Sequence, residues 1–141
     1  MRYFWLLITL LLASALFAGQ KSSEEELQHK IESARGGKRA EFLMQLAHQE
    51  LEEADRQYHD GDTDKALRTA QSSGACADQA TAASLESGKR LKDTEIELRK
   101  LSERLQAILQ ELSFEDRQGL DPMVQKLEQD RSKLLDRMFK K

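Results

Sequence analysis

From Ala66 to Leu112, small and apolar residues recur at alternating steps of four and three. They are Ala66, Ala70, Ser73, Ala77, Ala80, Ser84 and Ser87, then Leu91, Thr94, Leu98, Leu101, Leu105, Ile108 and Leu112. That spacing keeps one face of a helix turned toward a partner. It does not suit a strand, whose side chains alternate with a period of two. Composition points the same way: beyond Ala18 the β-branched residues are Ile31, Ile96, Ile108, Val124 and four threonines. Ala, Leu, Glu, Gln, Lys and Arg dominate, the residues that lose least on entering a helix. A β-sheet and a nucleotide-binding βαβ unit are excluded, and the fold class is all-α.

An interhelical loop at Ser87-Gly88 would normally reset the phase, so the spacing predicts one helix over about 63–112, roughly 75 Å long at about 1.5 Å per residue. Gly88 falls off the seam, where it costs about 1 kcal/mol of helix propensity. A preceding stripe, Ala40, Met44, Ala47, Leu51, Ala54 and Tyr58, has the same alternation, and Asp60-Gly61-Asp62 reads as a C-terminal glycine followed by an N-cap aspartate. The two stripes therefore face each other as an antiparallel hairpin with small residues on both sides. Ser22 and Ser23 stand three before Glu25 and Glu26, a capping-box spacing for a first helix whose stripe is Leu27, Ile31 and Ala34. After a short irregular link at 113–116, Asp121-Pro122 marks the start of a last helix over about 122–139. Val124, Leu127, Leu134, Leu135, Met138 and Phe139 are expected inward, packed antiparallel on 91–112. Counting back from Gly61 places Gly36-Gly37 beside Ser87-Gly88. The expected shape is elongated: a three-helix segment where residues 24–35 run along the leucine half, and a two-helix alanine arm toward Gly61.

The N-terminus has a separate logic. Arg2 precedes the apolar run Tyr3 to Ala18, interrupted only by Thr9 and Ser14, and small residues follow its bulkiest part. This is the order of a secretory signal peptide over 1–18, cleaved after Ala18 or after Ala15. The run is shorter than the roughly 20 apolar residues that span a membrane, though a retained anchor is the alternative. Residues 19–141 then form a single helical-bundle domain, periplasmic or secreted, with no stable membrane insertion after cleavage. Cys76 is the only cysteine, so no intramolecular disulfide supports the fold. It reads as a small buried residue, with an intermolecular disulfide as the alternative.

No catalytic residue, cofactor site or metal site is expected. Glu26 and His29 have the Glu-x-x-His spacing of di-iron bundles, but such sites need a second copy and two further carboxylates. Asp60, Asp62 and Asp64 imitate the start of an EF-hand loop, which then fails at Lys65 and Gln71. His48 reads as an exposed polar position, and His59 as a cation at a helix C-terminus. Beyond Ala18, 21 Lys and Arg stand against 25 Asp and Glu, interleaved along the helices. That is not the concentrated basic face that nucleic acid requires.

Tyr58-His59-Asp60-Gly61-Asp62-Thr63-Asp64-Lys65-Ala66-Leu67 resembles the turn of a tetratricopeptide hairpin. No second copy occurs at the 34-residue period, and an array needs about three repeats. In character the mature chain also resembles uncharacterised exported all-helical bacterial proteins, a resemblance that implies no activity. The function expected is an exported, non-enzymatic structural or interaction bundle that binds a protein partner or itself. Phe42 and Leu46, one turn apart and off the main stripe, are the candidate interaction residues. Met138 and Phe139 are the side chains of this chain expected to cover them otherwise. A periplasmic chaperone or holdase is the alternative function.

Overall fold

A computed structural model describes residues 23–140, and the expected signal peptide lies outside them. Residues 23–33 form α1, followed by α2 (Gly36–His59), α3 (Thr63–Ser87), α4 (Leu91–Glu111), α5 (Phe114–Gln118) and α6 (Asp121–Phe139). Among the described residues there is no strand, and the helices pack into an all-α bundle.

The α2–α3 hairpin forms where the sequence places it. Gly61 adopts φ +86° between Asp60 and Asp62, and the amide of Asp62 donates to the Gln57 carbonyl at 2.9 Å. Asp62 occupies the N-cap position of α3 without a capping hydrogen bond from its side chain. Ala40, Ala47 and Ala54 from α2 are buried with Ala66, Ala70, Ala77 and Ala80 from α3. These short side chains let the backbones approach until the Ser73 hydroxyl donates to the Ala47 carbonyl at 2.6 Å. The register is antiparallel, with Thr69 donating to Gln57 at 2.7 Å and Ser72 to Glu50 at 2.9 Å.

The continuous helix expected over 63–112 does not occur. Helix α3 ends at Gly88, whose amide donates to the Ser84 carbonyl at 2.9 Å and whose φ of 66° is left-handed. Arg90 is also left-handed, at φ 56°, before α4 begins. Two such residues so close together reverse the chain. The reversal escapes a reading of the phase because Ser84, Ser87, Leu91 and Thr94 keep the four-three spacing across it. A heptad phase carries no information about chain direction. Across the turn the Ser84 and Thr94 hydroxyls meet at 2.7 Å, buried.

Helix α4 therefore runs parallel to α2, with Arg90 near Glu41, His48 near Glu97 and Arg104 near Glu52. Helix α6 runs antiparallel to α4, through Arg131–Glu95 and Ser102–Glu128, and parallel to α3, through Lys126–Asp78. The result is two antiparallel pairs, α2/α3 and α4/α6, lying side by side around one core. The leucines of α4 (Leu98, Leu101, Leu105) share that core with the alanines of α3. This corrects the expected thin alanine arm, because α4 and α6 cover that half of the molecule.

Gly36 and Gly37 do lie at the level of the second turn: a β-carbon on Gly36 would meet Ser87 Cβ at 3.2 Å. At that point, however, the chain reverses. Residue Glu24 returns to the neighbourhood of Glu50, so α1 folds back along α2 instead of extending beside the leucine half. The link after α4 is also more ordered than expected, since Ser113 caps the short helix α5 by accepting from the Asp116 amide at 3.2 Å. Helix α6 begins one residue before Pro122, with Leu120 at the N-cap position in place of Asp121. Its buried stripe is Met123, Leu127, Asp130 and Leu134, while Phe139, expected inward, is 78% exposed.

The left-handed turn gives opposite expectations for the two architectures. In a continuous helix, Gly88→Ala would gain about 1 kcal/mol. In the observed turn it costs about 1–2 kcal/mol, because a β-carbon is disfavoured at positive φ. Urea denaturation of the two proteins reads the sign directly.

Candidate functional site

The structure separates the two candidate interaction residues. Leu46 is buried in the cluster that contains Leu27 and Ile31 of α1 and Leu43 of α2. Phe42 is only half-buried, with Lys38 Nζ 5.1 Å from its ring centroid. Leu46 is thus no free contact: the reversal at Gly36 brings α1 back, and α1 contributes the cover expected of Met138 and Phe139.

The seam between the parallel helices α2 and α4 gathers most of the interhelical charge. Arg104 donates to both oxygens of Glu52, at 2.7 and 3.1 Å, and to Asp55 Oδ2 at 2.8 Å. These bonds hold the Glu52 carboxyl below its usual range and the guanidinium above its own. His48 Nε2 lies 3.0 Å from Glu97 Oε2 without the alignment of a hydrogen bond. At the end of the seam His59 Nδ1 is 2.8 Å from the Asp55 carbonyl and 3.3 Å from Asp55 Oδ1, while Nε2 is 3.4 Å from Glu111 Oε2. The hydrogen bond to the Asp55 backbone, then the Asp55 and Glu111 charges, raise the His59 pKa. One ligand atom from each of Asp55, His59 and Glu111 can be chosen so that all three lie within 4.8 Å of one another. The Asp55/His59 spacing of four was visible in the sequence. Glu111 joins them only because α4 turns parallel to α2.

The motifs read from the sequence stay apart. Glu26 pairs with Lys30 at 2.8 Å. Asp60 and Asp62 belong to the interhelical turn, and Asp64 to the first turn of α3. Cys76 is buried, and its thiol lies 3.5 Å from Glu50 Oε2. Burial, reinforced by Glu50, pushes the thiol up to about 12, which keeps it protonated and unreactive. Glu50 itself is pushed upward by burial, against the hydrogen bonds from Ser72 and Cys76. It lines an open groove of about 950 Å³ with Ser23 and Glu24 of α1, Leu46 of α2, and Lys65 and Arg68 of α3.

Asp130 was missed altogether because a charged residue interrupts an apolar stripe. It is 0% exposed. Its Oδ1 accepts from Lys126 at 2.7 Å and from Lys133 at 3.2 Å, while Oδ2 has no hydrogen-bond partner. Lys126 also reaches Asp78 on α3, tying α6 to its parallel neighbour.

Comparison with protein-family models, with curated proteins and with solved structures finds no match. Among the described residues no helix is long and apolar enough to cross a membrane.

Two carboxylates, Glu50 half-buried and Asp130 fully buried, lead to separate tests. The raised pKa of Glu50 means the folded state holds its proton more tightly than the unfolded state, so its contribution is greatest at low pH and is lost as pH rises through the folded pKa. Glu50→Gln, which can still accept from Ser72, is expected to raise the melting temperature at pH 7. The gain should vanish below about pH 4, where the wild-type carboxyl is protonated in both states. At Asp130, leucine removes a buried charge with one oxygen unsatisfied. Lys126 and Lys133 are exposed enough to return to water, so Asp130→Leu is expected to cost no more than about 2 kcal/mol in urea, whereas a larger loss would show that the lysine pairs outweigh desolvation.

Proposed function

We propose that the chain is an exported, non-enzymatic helical bundle that works by protein contact, in the periplasm or outside the cell after cleavage at Ala18. Export is supported by the order of charge, apolar run and small residues over 1–18. Contact is supported chiefly by two aromatic side chains: Phe114 is 74% and Phe139 is 78% exposed, although the core encloses Leu98, Leu101 and Leu105 of α4 completely. They stand at opposite ends of the bundle, Phe114 just beyond α4 and Phe139 at the end of α6, whose Arg137 lies beside Gly88. Aromatic side chains, Phe among them, are enriched at the cores of protein interfaces. The interleaved charges suit a protein surface better than a nucleic-acid backbone.

Immobilised mature chain, residues 19–141, is expected to retain a defined partner from an envelope extract. Phe114→Ala with Phe139→Ala should reduce that retention at least about tenfold at an unchanged melting temperature. Equal retention by the double variant would reject these anchors, and light scattering showing a strict monomer would reject self-association. Export is read separately by fusing residues 1–30 to a reporter enzyme that becomes active only after export; an inactive fusion would reject it.

A further inference from the structure

The geometry points to a divalent transition-metal site, of the kind Zn²⁺ occupies, formed by Asp55, His59 and Glu111 where α2 and α4 end. Three independent features converge there. The first is the donor set. An imidazole and two carboxylates supply ligand atoms within 4.8 Å of one another. His59 Nε2 and Glu111 Oε2, 3.4 Å apart, already have the spacing of two ligands on a tetrahedral ion with bonds of about 2.0–2.1 Å. Asp55 and His59 are four residues apart on one helix face, so one ion can reach both.

The second feature is the support behind the donors. His59 Nδ1 lies 2.8 Å from the Asp55 carbonyl, so a proton on Nδ1 is donated to the backbone and the Nε2 lone pair is left facing Glu111. Asp55 Oδ2 is held by Arg104 at 2.8 Å, which fixes the carboxylate with Oδ1 turned toward the imidazole, 3.3 Å from Nδ1. Arg104 is simultaneously held by both oxygens of Glu52, so its charge is already shared between two carboxylates.

The third feature is the backbone field. His59 is the last residue of α2 and Glu111 the last of α4, and because the helices are parallel their negative ends converge on one point. His59 and Glu111 are exposed enough for water to complete the coordination shell. The imidazole favours Zn²⁺, Co²⁺ or Ni²⁺ over Ca²⁺ or Mg²⁺, which take oxygen donors. An ion bound there would join two helices that are not consecutive in the chain, so it would stabilise the bundle as well as occupy it.

The test is calorimetric titration of the chelator-treated mature chain with ZnCl₂. One equivalent of Zn²⁺ is expected to bind saturably and to raise the melting temperature. His59→Ala and Glu111→Gln should each weaken binding at least about tenfold, and His48→Ala should bind as the wild type does. His59 and Glu111 are surface side chains, so circular dichroism will verify that their variants fold. Replacing Zn²⁺ with Co²⁺ gives a second readout: a visible absorption band expected in the wild type and absent in His59→Ala. Absence of saturable binding in the wild type would overturn the assignment. Affinities in His59→Ala and Glu111→Gln equal to that of the wild type would also overturn it, by placing the ion elsewhere.

Discussion

The arrangement depends first on how closely α2 and α3 approach. Alanine and serine stand where most bundles place leucine, and the separation is small enough for Ser73 to donate to a main-chain carbonyl of the opposite helix, out of contact with water. A hairpin packed this closely buries little apolar area of its own, and apolar area is the main source of folding free energy. It needs a second layer. The leucines of α4 and α6 provide it, brought there by the reversal of the chain after α3.

That requirement explains the weight carried by the short turn at Ser87–Arg90. By reversing there, the chain sets α4 beside α2 with the same direction. Unlike antiparallel neighbours, parallel helices bring like-charged ends together. The seam between them is accordingly the most heavily ion-paired in the bundle, with Arg90, His48, Arg104 and His59 each facing carboxylates. Asp130 performs a related task on the other parallel contact. It shares Lys126 with Asp78 on α3 and so fixes how α6 sits along its neighbour.

Much of this was legible in the residues. The helical class, the hairpin at Gly61, the alanine interface and the extent of the last helix follow from periodicity and turn chemistry, which are local. Even the meeting of Gly36 with Ser87 followed from counting along two helices of known rise. The fold-back at Gly88 was not legible, because the spacing of the stripe continues through it and the decisive feature is a pair of left-handed dihedral angles. Everything downstream of that turn was hidden with it: the cover over the alanine half, and the approach of Glu111 to Asp55 and His59. The burial of Leu46 was hidden for a similar reason at Gly36. Asp130 was obscured differently, since a buried carboxylate in an apolar stripe is indistinguishable by type from an exposed one.

The continuity of the stripe across Gly88 also bears on how narrowly the sequence specifies its fold. Straightening three residues would leave nearly every seam position of α3 and α4 on one face of a single rod, with α4 and α6 carried away from their own chain. Two molecules opened in this way could exchange those halves and regain the same contacts, which is the geometry of a domain swap. The core therefore does little to distinguish the closed form from the exchanged one. That choice falls to the turn, whose left-handed residues Gly88 and Arg90 set the direction in which the chain leaves α3.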